Sequence, residues 1–158
     1  MKRYLCLICI LLLLLPLWGC HSEEQPAAHF YYLRSQETIA YGKSDALIAP
    51  VEIPIESSDL MTLFQLYLQG PDSEQFRSPL PANIRLLSVI QAGDMLVLEF
   101  TSGFMGMSEI QMSLAGACLC ATAYEITGLE AIEIRVGDQK YEFRYDDFLL
   151  LDSTEPTE

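Results

Sequence analysis

Hydrophobic positions along the chain switch between a period of two and a period near 3.6, and each switch marks an element. His29 to Arg34 has strand composition, and Leu47 to Ile55 reads as a second extended segment whose Pro50 and Pro54 suit an edge. Leu60, Leu63, Phe64, Tyr67 and Leu68 then fall on one face of a helix. Ser57, Ser58 and Asp59 are its N-cap candidates, Gly70 is placed for a left-handed cap, and Pro71 cannot continue the helix. Asp72 to Asn83, with Pro79 and Pro81, reads as a surface connection. Arg85 to Gln91 and Met95 to Thr101 flank Ala92-Gly93-Asp94, a hairpin signal. Leu96, Leu98 and Phe100 share one face of the second arm; Met95 and Val97 make its other face apolar too, which predicts a central or partly covered strand.

Met107 to Ile126 is helical in pattern, with Ile110, Leu114, Ala117, Cys118 and Ala121 as the expected stripe and Gly128 as the C-cap. Its small residues allow close packing on a sheet. Ile132, Ile134 and Val136 alternate with Glu133 and Arg135, and Gly137-Asp138 turns that strand towards Tyr141, Phe143 and Tyr145. Phe148 to Leu151 reads as an edge strand on the core, or else as an apolar patch for a partner. The sum predicts an α+β domain: a small mixed or antiparallel sheet with two helices packed on one face.

The first residues follow a different logic. Lys2 and Arg3 precede an uncharged run, Tyr4 to Gly19, the plan of a secretory signal. At about 20 apolar residues per membrane crossing, a run this short that breaks at Pro16 is a marginal span. Leu17-Trp18-Gly19-Cys20 resembles the lipobox of bacterial lipoproteins, which implies cleavage before Cys20 and acylation of its sulfur. Two acyl chains, at about 0.8 kcal/mol per buried CH2, hold a protein stably where one does not. The expected location is therefore the outer face of the bacterial cell membrane. An uncleaved anchor also leaves the rest of the chain outside, by the positive-inside rule; a plainly secreted form is the other alternative. The expected division is 1–20 signal peptide, 21–28 tether, 29–151 folded domain and 152–158 disordered tail.

The whole chain carries a formal charge of −13, and loss of residues 1–20 leaves seven Lys and Arg against twenty-two Asp and Glu. That balance opposes nucleic-acid binding, where phosphates reward clustered cations, and makes the lipid the expected membrane contact. Five cysteines reduce to Cys118 and Cys120 once Cys6 and Cys9 leave with the signal and Cys20 is acylated. On a helix, positions i and i+2 point roughly 200° apart, so this pair neither shares a metal nor forms an unstrained disulfide.

Four segments, in order, resemble the GerMN domain family of sporulation and germination proteins, which also occurs singly in bacterial lipoproteins. They are Leu63 to Pro71 (LFQLYLQGP), Leu80 to Val89 (LPANIRLLSV), Leu96 to Phe104 (LVLEFTSGF) and Ala121 to Gln139. The turn at Val136-Gly137-Asp138 departs from the family's usual Val-Asp-Gly. The resemblance implies an extracytoplasmic assembly or binding role, akin to the ring-building modules of secretion systems. It brings no catalytic residues with it.

Candidate chemistry in the residues is sparse. His21 and His29 are the only histidines, both in or next to the tether, and no nucleophile elbow, phosphate loop or His-Glu-x-x-His occurs. Asp146, Asp147 and Glu142 supply too few oxygens for a hard cation. Gly103 to Ser108 (GFMGMS) suggests a packed loop or an apolar contact surface. The expectation is a non-enzymatic, cofactor-free interaction module whose one modified residue is Cys20. Its partners would be envelope or sporulation proteins, with self-association left open. The alternative is a lipoprotein that binds a small ligand or a cell-wall fragment, which requires a concave polar pocket.

Overall fold

A computed structural model describes residues 26–35 and 46–149. The signal run, Cys20, His21 and residues 150–158 lie outside the described residues. The elements are β1 (Ala27–Arg34), β2 (Ile48–Pro54), α1 (Leu60–Gln69), β3 (Phe76–Arg77), β4 (Leu86–Ala92), β5 (Met95–Phe100), a 3-10 turn (Ser102–Gly106), α2 (Glu109–Thr127), β6 (Ala131–Val136), β7 (Gln139–Arg144) and α3 (Asp146–Leu149). The fold is α+β. Its strands divide into two sheets, ordered β2-β1-β3 and β4-β5-β6-β7, where the hydrophobic pattern suggested one. Strand β1 starts at Ala27, inside the stretch read as tether.

In the larger sheet the hairpins β4-β5 and β6-β7 are antiparallel, and β5 pairs in parallel with β6. Strand β5 is central, as its two apolar faces predict. Both hairpins close through Gly-Asp loops; Gly93 and Gly137 have φ of 69° and 57° at the first loop position. Register places Leu96, Ile132 and Phe143 in one inward row and Leu98, Ile134 and Tyr141 in the next. These rows face the core, which Phe100, Phe104 and Met107 extend.

Helix α2 begins with a complete capping box: Gln111 N–H donates to Ser108 Oγ at 3.3 Å, and Ser108 N–H donates to Gln111 Oε1 at 2.9 Å. It ends at Gly128, whose φ of 72° and ψ of 6° make the predicted left-handed cap. Between these limits its burial departs from the expected stripe. Ala115 to Cys120, Thr122 and Ala123 are all buried, whereas Ile110 is 75% exposed. A helix apolar on every side must be covered on every side. The position of Cys118 brings it near Tyr32 and Tyr67 of the small-sheet side, while Cys120 Sγ lies 3.6 Å from the Phe143 carbonyl of the large sheet. The 200° separation read from the sequence is thus what lets one helix serve two sheets.

The small sheet is fastened to α2 by side chains. Arg34 N–H donates to Leu47 O and Ile55 N–H to Pro26 O, so odd positions of β2 face β1. Pro50 and Pro54 fall on the outward-facing positions, where a missing donor costs nothing. Across β1, the outward groups of Tyr31 find partners on both helices: its N–H donates to Thr122 Oγ1 at 2.9 Å, and its carbonyl accepts from the Tyr67 hydroxyl at 3.1 Å. Tyr67 also stacks on Tyr32 at 4.9 Å and meets Phe30 edge-on at 5.8 Å.

Three details depart from expectation. Gly70 caps α1 with φ of 85° but ψ of 171°, an extended glycine-only conformation rather than the left-handed helical one. The connection from Asp72 to Asn83 contributes β3 and a buried Leu80. Residues 146–149 form a short helix, not an edge strand, with Phe148 packed 6.4 Å from the Phe143 ring.

Candidate interaction surface

Burial pushes both cysteine thiols up to about 12, outweighing the smaller opposing pull of Arg77 on Cys118 and of Arg144 on Cys120. Protonated and enclosed, they pack as small apolar side chains. His29 Nδ1 lies 3.0 Å from Glu125 Oε1 on the surface, and Asp146 Oδ1 is 3.5 Å from Arg144 Nε. Among the described residues no group of three or more His, Cys, Asp or Glu could hold a metal ion. No described helix is long and apolar enough to cross a membrane.

The concave features are slight. One depression of about 300 Å3 lies between α1 and the chain leading into β4, with Gln65, Gln69 and Arg85 around Leu68, Ile84 and Leu86. Another, of about 220 Å3, lies beside Asp94, Glu130 and Arg144.

Convex surface is more informative. The outer face of the large sheet carries the row Ile90, Val97, Glu133, Glu142 and the row Ser88, Glu99, Arg135, Lys140. Glu133 binds Arg135 and sits 3.5 Å from Lys140 Nζ; the Arg135 hydrogen bond is the main cause of a carboxyl held below its ordinary range. Ser88 Oγ donates to Glu99 Oε2 at 2.9 Å. This is a solvated ladder, and among its side chains only Ile90 is both apolar and exposed.

Further exposed apolar side chains lie on the β4 bulge, on the 3-10 turn and at the start of α2. Leu87, on the bulge that interrupts β4 opposite Phe100, is 53% exposed; Met105 of the 3-10 turn is 51% exposed. Ile110, in the first turn of α2, is 75% exposed. In the GFMGMS segment Phe104 and Met107 pack inward, as a packed loop requires, while Met105 is exposed. Leu87 and Ile90 were not singled out from sequence, although the absence of charge throughout Leu86 to Ala92 was there to be read.

The family profile described as Germane, sporulation and spore germination, matches residues 29–142. The chain belongs to the Germane family. Its fold is that of the first GerMN domain of the sporulation protein GerM from Bacillus subtilis, with a TM-score of 0.56 at 15% identity, over 73% of this chain and 86% of that one. The tandem GerMN domains of the same protein match with a TM-score of 0.55 and 15% identity, again over 73% of this chain but 40% of that longer one. A Clostridium perfringens protein named as a candidate lipoprotein matches at 20% identity, over 77% of this chain and 89% of that one, with a TM-score of 0.47. No curated protein sequence matches. The GerMN resemblance carried by the four sequence segments is thereby established, and the matched span contains the β4-β5 hairpin, both long helices and the β6-β7 hairpin as far as Glu142.

Proposed function

We propose that this chain is a lipid-anchored extracytoplasmic GerMN module that assembles with envelope proteins during sporulation or germination. The observation that carries the reading is Ile110, a large aliphatic residue 75% exposed at the first turn of a helix whose middle is completely buried. It adds little to the core, and with Met105, exposed on the turn just before the helix, it supplies apolar surface of the kind that marks protein association. Membership of a sporulation and germination family supports the stage.

Chain geometry supports an orientation. Tyr31 meets Thr122 and His29 meets Glu125, so β1 runs opposite to α2 and starts beside the C-terminal end of that helix. If Cys20 holds the acyl chains, the six residues 21–26 reach at most about 20 Å. Helix α2, at 1.5 Å per residue, extends roughly 28 Å the other way. The end bearing Met105 and Ile110 then points away from the bilayer, towards other envelope proteins. The depressions, at or below the lower end of the ~300–1,000 Å3 usual for ligand sites, favour this reading over small-ligand binding.

Photocrosslinking residues at positions 105 and 110, in intact sporulating cells, test the surface. Envelope proteins should be trapped there and not from a probe at Asp138 on the β6-β7 turn. The mass of the purified chain should show removal of residues 1–19 and acylation at Cys20. An unprocessed, unacylated chain, or crosslinks equal at all three positions, would sink the proposal.

A further inference from the structure

Among the described residues four strands stand at sheet edges, β2, β3, β4 and β7, and three of them offer little to a pairing partner. Strand β2 turns Pro50 and Pro54 outward. Strand β3 is two residues long, and the side of β1 that it leaves uncovered is taken by Thr122 and Tyr67. Strand β7 carries Lys140, Glu142 and Arg144, the charges that natural edges use against unwanted pairing. Strand β4 is the exception. It is an edge strand seven residues long, LLSVIQA, without an ionisable side chain or a proline, in a chain of net charge −13.

We infer that β4 pairs antiparallel with β4 of a second copy of this chain, joining the two large sheets across a twofold axis. The inference rests on the interaction-module reading and names one of its partners. The two-residue loop fixes which groups are free: Ala92 and Met95 close the hairpin, so Ala92, Ile90 and Ser88 bond β5 while Gln91 and Val89 aim their backbone groups outward. A twofold register centred on Ile90 sets Val89 opposite Gln91 of the other copy. That makes two hydrogen-bonded pairs, or about four backbone hydrogen bonds. It stays within the regular stretch from Ser88 to Ala92, clear of the bulge at Leu87. Ile90, 54% exposed, meets Ile90 of the other copy in the close, non-hydrogen-bonded pair on the outer face.

Electrostatics select this edge. Two chains this acidic repel one another, and across β4 no carboxylate opposes another. At each end of the antiparallel pair Arg85, which precedes β4, comes beside Asp94 of the other copy, which follows it. Arg85 appears in none of the protein's ion pairs among the described residues.

A cysteine at position 90 tests the register. In a close antiparallel pair the Cα atoms are about 4.5 Å apart, inside the range of roughly 4.4–6.8 Å that a disulfide spans. Cys118 and Cys120 are buried with raised thiol pKa values and do not compete. Under mild oxidation of membranes carrying the full chain, Ile90→Cys should give a band at twice the chain's mass that the parent lacks. Ile110→Cys, more exposed but on α2 and not on the paired strand, should not. In the otherwise native chain, Ile90→Asp should abolish the dimer seen with a bifunctional crosslinker while leaving the circular dichroism unchanged. No dimer from Ile90→Cys, or equal dimer from Ile110→Cys, overturns the inference. If position 90 fails while probes at 105 and 110 trap an envelope protein, self-pairing alone falls. If the dimer forms and no envelope protein is trapped, self-pairing stands and the assembly role falls.

Discussion

Replacing Thr122 by Val keeps the branched shape of the side chain and removes one hydroxyl. Thr122 is the one buried polar side chain among the described residues; it accepts the Tyr31 N–H at 2.9 Å and also hydrogen-bonds the Tyr67 phenol. In Thr122→Val the Tyr31 N–H is orphaned beside the helix, at a cost of about 1–3 kcal/mol. The added methyl group recovers about 0.8 kcal/mol of transfer free energy. The expected net loss is about 0.2–2 kcal/mol, which at about 4 °C per kcal/mol lowers Tm by about 1–8 °C. Thr122→Ser keeps the hydroxyl and loses only a methyl, so stability alone separates the two variants poorly. Hydrogen exchange separates them well: the Tyr31 amide should exchange faster in Thr122→Val and stay protected in Thr122→Ser. A Thr122→Val protein as stable as the parent with a protected Tyr31 amide would show that α2 does not hold the edge of β1 through this bond.

Gly116 faces Phe143 so closely that an added Cβ would lie 2.3 Å from its Cε1 and 2.4 Å from its Cδ1. Gly116→Ala should therefore destabilise: overpacking costs about 1–3 kcal/mol and outweighs a helix-propensity gain of about 1 kcal/mol. Adding Phe143→Leu should restore part of the loss in a denaturant titration. The Cys118 and Cys120 thiols, raised from 9.0 to about 12, support folding fully below pH 9 and lose that contribution as pH climbs from 9 towards 12, because the unfolded chain ionises first. Neither should react with a thiol reagent at pH 8 until the protein unfolds. Asp59 accepts from the Thr62 backbone N–H at 2.9 Å, the main reason its carboxyl lies below 3.8. Its cap is present above that value and is lost as pH falls through the lower folded one, so Asp59→Asn should flatten the acid limb of the stability curve.

Much of the scaffold was legible because its signals are local. Gly93 and Gly137 sit where two-residue loops need positive φ, Asp59 and Ser108 stand at helix starts, and alternation along Ile132 to Val136 fixed a face. What escaped is non-local. Nothing near Tyr31 says that its outward N–H and carbonyl will be met by Thr122 and Tyr67, ninety-one and thirty-six residues away. Hence the division into two sheets was not visible from periods alone. Gly70 was readable as a stop, but its ψ is set by where the chain must go next.

Helix α2 shows how the missing sheet could have been inferred. From Ile110 to Tyr124 it contains no charged residue, and a stripe chosen through Ile110, Leu114 and Ala121 assumed a polar back that this stretch does not possess. A helix with apolar residues all around must be enclosed, and one sheet covers only one side of a helix. The strands from His29 to Ile55 had therefore to lie against its other side, with Ala, Gly and Cys permitting close approach on both. Enclosure also bears on function: it places much apolar surface inside, so the most exposed large aliphatic side chains among the described residues, Leu87, Ile90, Met105 and Ile110, with Leu47 less so, stand out against it. Those on the uncharged edge fit a second copy, and those at the far end of α2 fit a different protein, which makes the two surfaces separable by mutation.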